Sequence, residues 1–152
     1  MKSKNFWQIF WPVMSVLVAA GIFFSSAQTG YVSGNASAAV ADFVRAIFPP
    51  VAALEDIVPL GFLVRKGAHV IVFFALAFCV AQSLKFYIHK WQLLLTSWAI
   101  ASAYGVFDEI HQYFVPGRSM EFSDMLINSV GAFIGAGLVV ALLYRPQKLK
   151  DG

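Results

Sequence analysis

The residues able to do chemistry are concentrated in one stretch, AYGVFDEIHQYFVPGRSMEFSDMLINSVG at positions 103–131. It holds Asp108, Glu109, His111, Gln112, Arg118, Glu121, Asp124 and Asn128 between two long apolar runs. A shorter set, Arg65, Lys66 and His69, lies at the head of another apolar run, and Ser25, Ser26 and Gln28 close a third. On a helix, Asp108, His111 and Gln112 stand at i, i+3 and i+4 and share a side; Arg65 and His69, and Asp124 and Asn128, are each one turn apart, with Gly131 extending the last stripe.

These types suit more than one chemistry. A histidine beside a carboxylate makes a general base, so His111 or His69 with Glu109 or Asp108 forms a candidate catalytic set, and Arg118 is placed to stabilise a developing oxyanion. The alternative is anion binding. Lys66, and Arg118 through its planar fork, would take phosphate or carboxylate, with Gln112 and Asn128 supplying neutral hydrogen bonds. His69, His111, Glu109 and Asp124 have the donor atoms for a metal but no HExxH-like spacing, and the sequence predicts neither metal nor other cofactor.

The elements that position these groups follow from composition. Of 152 residues, 59% are hydrophobic and only 12% charged, and the mean hydropathy is +0.71. That is too apolar for a soluble domain and fits a bilayer. Apolar stretches at about 6–27, 67–84, 91–110 and 124–144 each approach the roughly 20 residues that a helix needs to cross a hydrocarbon core of about 30 Å. The expectation is one all-α domain over 1–152, a four-helix transmembrane bundle. The third helix runs on until Pro116 ends it. Ser123 is placed to cap the fourth, and Asp124 in its first turn favours the positive dipole end.

Between the first two runs, ASAAVADFVRAIFPP repeats Val40, Phe43, Val44, Ile47 and Phe48 at helical spacing. This predicts a short interfacial helix over about 36–48, lying on the outer leaflet. The first run has the flanks of a signal peptide, with Lys2 and Lys4 before it and Ser25-x-Ala27 after it. Its apolar part exceeds the roughly 7–15 residues of a signal core and ends in bulky Phe23 and Phe24, which favours a retained helix.

With the N-terminus inside, Lys2, Lys4, Lys85, Lys90, Arg145, Lys148 and Lys150 are cytoplasmic, while Arg45, Arg65, Lys66 and Arg118 are outside. This satisfies the positive-inside rule and puts both termini on the cytoplasmic side of the membrane. The net charge of +3 is thus an orientation signal and gives no case for nucleic acid. Cys79, alone in mid-run, acts as a small hydrophobe. Gly131 and Gly135 form a GxxxG pair suited to tight packing on the second helix or, alternatively, to a homo-oligomer. The apolar middles VIVFFALAFCV and GAFIGAGLVV argue against a transport path.

FSSAQTG, then RKGAH, then DEIHQYFVPGRSMEFSDMLINSVGAFIG resemble the VanZ-like family of small bacterial membrane proteins, over residues 25–137. The resemblance implies a multi-pass envelope protein, some of whose relatives are linked to resistance against teicoplanin-type glycopeptides. Its polar set falls on Lys66, His69, Glu109, Gln112, Arg118, Asp124, Asn128 and Gly131. Many relatives have an acidic residue and a tyrosine shortly after the histidine of the second helix, whereas this chain has Val72 and Phe73. A carboxylate for His69 must therefore come from another helix, Glu109 or Asp124. The implied ligand is a membrane lipid, a lipid-linked wall precursor or a lipoglycopeptide. The orientation predicts that single cysteines introduced within residues 30–60 react with an impermeant thiol reagent on intact cells. Equal labelling at residues 85–90 would overturn that orientation.

Overall fold

The computed structural model describes residues 2–144, with side chains from residue 6 onward. Arg145, Lys148, Lys150 and the side chains of Lys2 and Lys4, which enter the orientation argument, lie outside the described residues. The chain folds as α1 (Lys2–Ser26), α2 (Gly30–Ile47), a short 3-10 helix (Pro49–Leu54), α3 (Leu60–Leu84), α4 (Lys90–Tyr113) and α5 (Phe122–Leu143), with no strand among the described residues.

Among the described residues, three helices are long and apolar enough to cross a membrane: α1 over Phe6–Ser26, α3 and α5. The expectation of four such spans is not met by composition. At 24 residues α4 is equally long, but Gln92, Thr96, Ser97, Ser102, Asp108, Glu109 and Gln112 lower its hydropathy. Much of that polarity is turned inward, since Ser97, Asp108, Glu109 and Gln112 are all buried.

The tightest contact is between α5 and α3. A Cβ built on Gly131 would lie 2.5 Å from the Val70 carbonyl oxygen, and one on Gly135 would lie 2.2 Å from that of Phe74. Both glycines are thus taken up by packing within the chain, backbone on backbone. Around this seam Phe73, Leu76 and Ala77 of α3 pack with Ala101 of α4, Ala132 and Ala136 of α5 and Ile22 of α1. A second cluster, Ala81, Leu93 and Val139, closes the opposite end. Interhelical hydrogen bonds add to the packing: Trp98 Nε1 donates to Ser129 Oγ at 2.9 Å, and the Tyr104 hydroxyl donates to the Ala19 carbonyl at 2.7 Å.

Three boundaries differ from expectation. The first helical segment after α1 begins at Gly30, not near residue 36, because Thr29 Oγ1 caps it by accepting from the Val32 N–H at 3.5 Å. It still exposes Tyr31, Val40, Phe43 and Ile47, as an interfacial helix should. Helix α3 starts at Leu60, well before Gly67. The run Leu60–Val64 is apolar, and the charges of Arg65 and Lys66 interrupt the hydropathy without interrupting the helix. The residue capping α5 is Glu121, without a side-chain cap bond, and Ser123 lies inside the first turn.

The α1–α2 corner is bonded to the α4–α5 turn. The Gly30 N–H donates to the Pro116 carbonyl at 3.0 Å, and Gly117 adopts φ +74°, a conformation that glycine takes without strain. Gly135→Ala is expected to lower stability by about 1–3 kcal/mol, since the intruding methyl meets backbone that cannot rotate away. Gly34→Ala, where nothing lies within 4 Å, should be neutral or stabilising by up to about 1 kcal/mol. Unfolding of both variants in detergent checks this.

Candidate functional site

The end of α1, the early turns of α3, the last turns of α4 and the first turns of α5 bring the polar residues together in two linked sets. The first is built on α4. Asp108 and Gln112, one turn apart, are both buried, and Gln112 Nε2 donates to Asp108 Oδ2 at 2.8 Å. Ser26, from α1, donates to Asp108 Oδ1 at 2.6 Å and accepts from Gln112 Nε2 at 3.1 Å. With its amide nitrogen so occupied, Gln112 turns its Oε1 outward to accept from Arg118 Nη2.

The second set joins α3, α4 and α5. Lys66 Nζ donates to Asp124 Oδ1, to Glu121 Oε2 at 2.7 Å and to Ser123 Oγ at 3.3 Å. His69 Nδ1 is 2.9 Å from Asn128 Oδ1, and its Nε2 is 3.8 Å from Asp124 Oδ2. Glu109 accepts the Glu121 backbone N–H on Oε2 at 3.1 Å. Helix α4 approaches Asn128 this closely because Gly105 has no side chain: a Cβ there would be 3.1 Å from the Asn128 Cβ. Glu109, Asp124 and Asn128 are fully buried, and Glu109 Oε1, Asp124 Oδ2 and Asn128 Nδ2 have no partner.

A cavity of about 570 Å³ opens beside the first set. One end is apolar, with Val18, Gly21, Ile22, Ile71, Val72 and Ala75; the other is polar, with Arg65, His69, Asp108, Gln112 and Arg118, and Ser33 and Ser37 of α2 also line it. Neither Arg65 nor Arg118 has a carboxylate within 4 Å among the described residues. The Nε of each is buried without a partner. Burial, followed by the proximity of Arg65, pushes the Arg118 guanidinium below its ordinary value. Two guanidinium groups line this space against the single carboxylate of Asp108, which is held by Ser26 and Gln112, and that excess of positive charge favours an anion there.

Lys66, His69, Glu109, Asp124 and Asn128 are brought together as one group, and Gln112, Arg118 and Asp108 as the other. His111 joins neither. Its ring stacks on Phe23 at 4.4 Å between centroids, it makes no hydrogen bond among the described residues, and its buried Nδ1 has no partner. The pairing of His111 with Glu109 is therefore corrected. Two residues apart on a helix, they point to opposite sides. The carboxylate behind His69 is that of Asp124. Arg118 turns back toward the end of α4, where the Gln112 side-chain carbonyl holds it. Arg65, Ser26 and Glu121 had no place in the predicted site. Of these, Arg65 had a usable signal, one helical turn before His69. One donor atom each from His69, Glu109 and Asp124 lies within 4.8 Å of the others, an association invisible to spacing because the three come from three helices.

The arrangement defines an all-α membrane protein with a buried polar cluster beside an amphipathic cavity. The VanZ/LLP1 family profile matches residues 11–144, most of the chain, and the chain belongs to that family. No curated protein and no solved structure matches it.

Acid should probe the Lys66 bridge. The Lys66 ammonium holds the Glu121 carboxyl below its ordinary value of 4.5. A carboxyl held low in the folded state adds stability above its unfolded value, and that contribution is lost as pH falls through the lower, folded one. Thermal stability is therefore expected to fall below about pH 4.5, and Glu121→Gln should make that fall shallower. Parallel profiles for the two proteins would contradict the bridge.

Proposed function

We propose that this protein binds an anionic amphiphile at the outer face of the bacterial cytoplasmic membrane, with four helices, α4 included, crossing and both termini inside. The head group sits between Arg65 and Arg118, and the apolar tail runs along the wall made by Val18, Ile22, Ile71 and Val72. The observation that carries this reading is the pair of arginines, each without a carboxylate partner and each lining the polar end of one cavity. In a low-dielectric site an unpaired guanidinium is costly, and a phosphate or carboxylate that accepts from both removes the cost. Gln112, fixed by Asp108 and Ser26, holds one edge of Arg118, so the guanidinium is oriented before the ligand arrives.

The chemistry fits a phospholipid, a lipid-linked wall precursor or a lipoglycopeptide. The family's link to teicoplanin-type resistance makes interception of such a molecule, or protection of its target, the cellular role we assign. One observation favours a second reading, hydrolysis or group transfer on the bound amphiphile. His69 lines the same cavity with its Nδ1 oriented by Asn128 Oδ1, which leaves Nε2, 3.8 Å from Asp124 Oδ2, as the nitrogen of a general base.

Mass spectrometry of lipids retained in mild detergent tests the binding. The wild-type chain should retain an anionic amphiphile, and Arg65→Ala with Arg118→Ala should lose it while remaining folded. Arg118→Lys separates fork from charge. Loss of a bidentate contact should weaken retention at least about tenfold, since a hydrogen bond to a charged group contributes about 1.5–3 kcal/mol. Unchanged retention in the double variant would overturn the assignment. In cells, protection against a lipoglycopeptide should disappear with Arg118→Lys and with Glu109→Gln at normal protein level.

A further inference from the structure

Three buried side chains outside the arginine pair share one unusual property. Each has one donor atom held by a neighbour and its other donor atom free. Asp124 gives Oδ1 to Lys66 and leaves Oδ2 without a partner. Glu109 gives Oε2 to the Glu121 N–H and leaves Oε1 without a partner. His69 has Nδ1 against Asn128 Oδ1, a carbonyl-type acceptor, so the ring proton belongs on Nδ1 and Nε2 keeps its lone pair. That lone pair is 3.8 Å from the free Asp124 Oδ2, and one donor of each residue lies within 4.8 Å of the others.

Electron-rich atoms gathered in a buried site call for a proton or a cation between them. Glu109 is 0% exposed and has no cation within 4 Å among the described residues. Lys66 is already shared between Asp124 and Glu121. We infer that His69 Nε2, Glu109 Oε1 and Asp124 Oδ2 form a binding site for a divalent transition-metal ion, separate from the anion-binding arginines. An imidazole nitrogen among the donors favours a first-row transition ion such as Zn²⁺ or Fe²⁺ over Mg²⁺ or Ca²⁺. Bonds of about 2.0–2.2 Å require the three donors to close by roughly 1 Å, within the reach of side-chain rotation.

The outer contacts have the form that metal sites use. A ligating histidine gives its second ring N–H to a carbonyl or carboxylate, and ligating carboxylates are themselves hydrogen-bonded. Here Asn128, Lys66 and the Glu121 N–H fill those places. Three protein ligands also leave a coordination position open. His111, the other histidine of the polar stretch, is not required, and its stack on Phe23 keeps it away.

The test uses the purified full-length chain in detergent, stripped with a chelator and dialysed. Titration with Co²⁺ should give visible d–d absorption that saturates at one equivalent and is displaced by Zn²⁺. Zn²⁺ should raise the unfolding temperature, and an equal concentration of Mg²⁺ should not. His69→Gln and Glu109→Gln should each abolish the Co²⁺ bands, and Asn128→Ala, which removes only the outer contact, should weaken binding about 10- to 100-fold. His111→Gln should bind as wild type does. A folded wild-type chain that gives no Co²⁺ bands and no Zn²⁺ shift, as it would if His69 were simply protonated against Asp124, overturns the site. Undiminished binding by folded His69→Gln does so too. Glu109 does not line the cavity, so lipid retention by Glu109→Gln reports separately on the amphiphile site.

Discussion

Everything in the structure depends on how closely α5 can lie against α3. Asp124, Asn128, Gly131 and Gly135 form one stripe of α5, spaced by four, three and four residues. Its lower half has no side chains, and its upper half carries the polar ones. Because Gly131 and Gly135 let the α5 backbone touch the carbonyls of Val70 and Phe74, the same stripe one and two turns higher brings Asn128 onto His69 and Asp124 onto Lys66. A methyl at either glycine would move the helices apart, and the hydrogen bonds above would lengthen with them. Packing and chemistry therefore share one seam, and the glycines act as positioning residues for groups more than a turn away.

Along α4 the division between the two sets is a matter of angle. Successive residues on a helix differ by about 100°, so Asp108 turns toward Ser26 and the cavity while Glu109 turns toward α5. One helix end thus serves two environments: a hydrogen-bonded chain that ends in an arginine, and a dry pocket with unpaired acceptors. Gly105 one turn earlier makes the second possible by admitting Asn128. Polar groups that would be costly in lipid are almost all turned inward, as intramembrane ionisable residues require.

Much of this could be read from the chain itself. Helical class and the gathering of Lys66, His69, Glu109, Gln112, Arg118, Asp124 and Asn128 at one end of the bundle follow from apolar run length, charge placement and family resemblance. The limits of the helices did not follow where hydropathy and helicity part company: Arg65 and Lys66 interrupt an apolar run but not α3, and α2 begins in a Gly- and Ser-rich segment that only Thr29 marks. Pairing across helices was the least legible. Residue spacing fixes which groups on one helix share a face, but the relative rotation of two helices is set by contacts such as Gly131 on Val70. Thus Asp124 could be named as a partner for His69 only as one of two, and the stack of His111 on Phe23, away from Glu109, was not legible.

Polarity on α4 also bears on how the protein is made. Ser26 leaves the ribosome long before Asp108, and α3 before the α5 carboxylates that hold Lys66. Until those partners arrive, α4 has the weakest claim of the long helices to a place in lipid, since buried Asp108, Glu109 and Gln112 oppose its insertion. Those groups find their partners only when α4 packs against the end of α1 and the start of α5, so the polarity of α4 is accommodated by the whole fold.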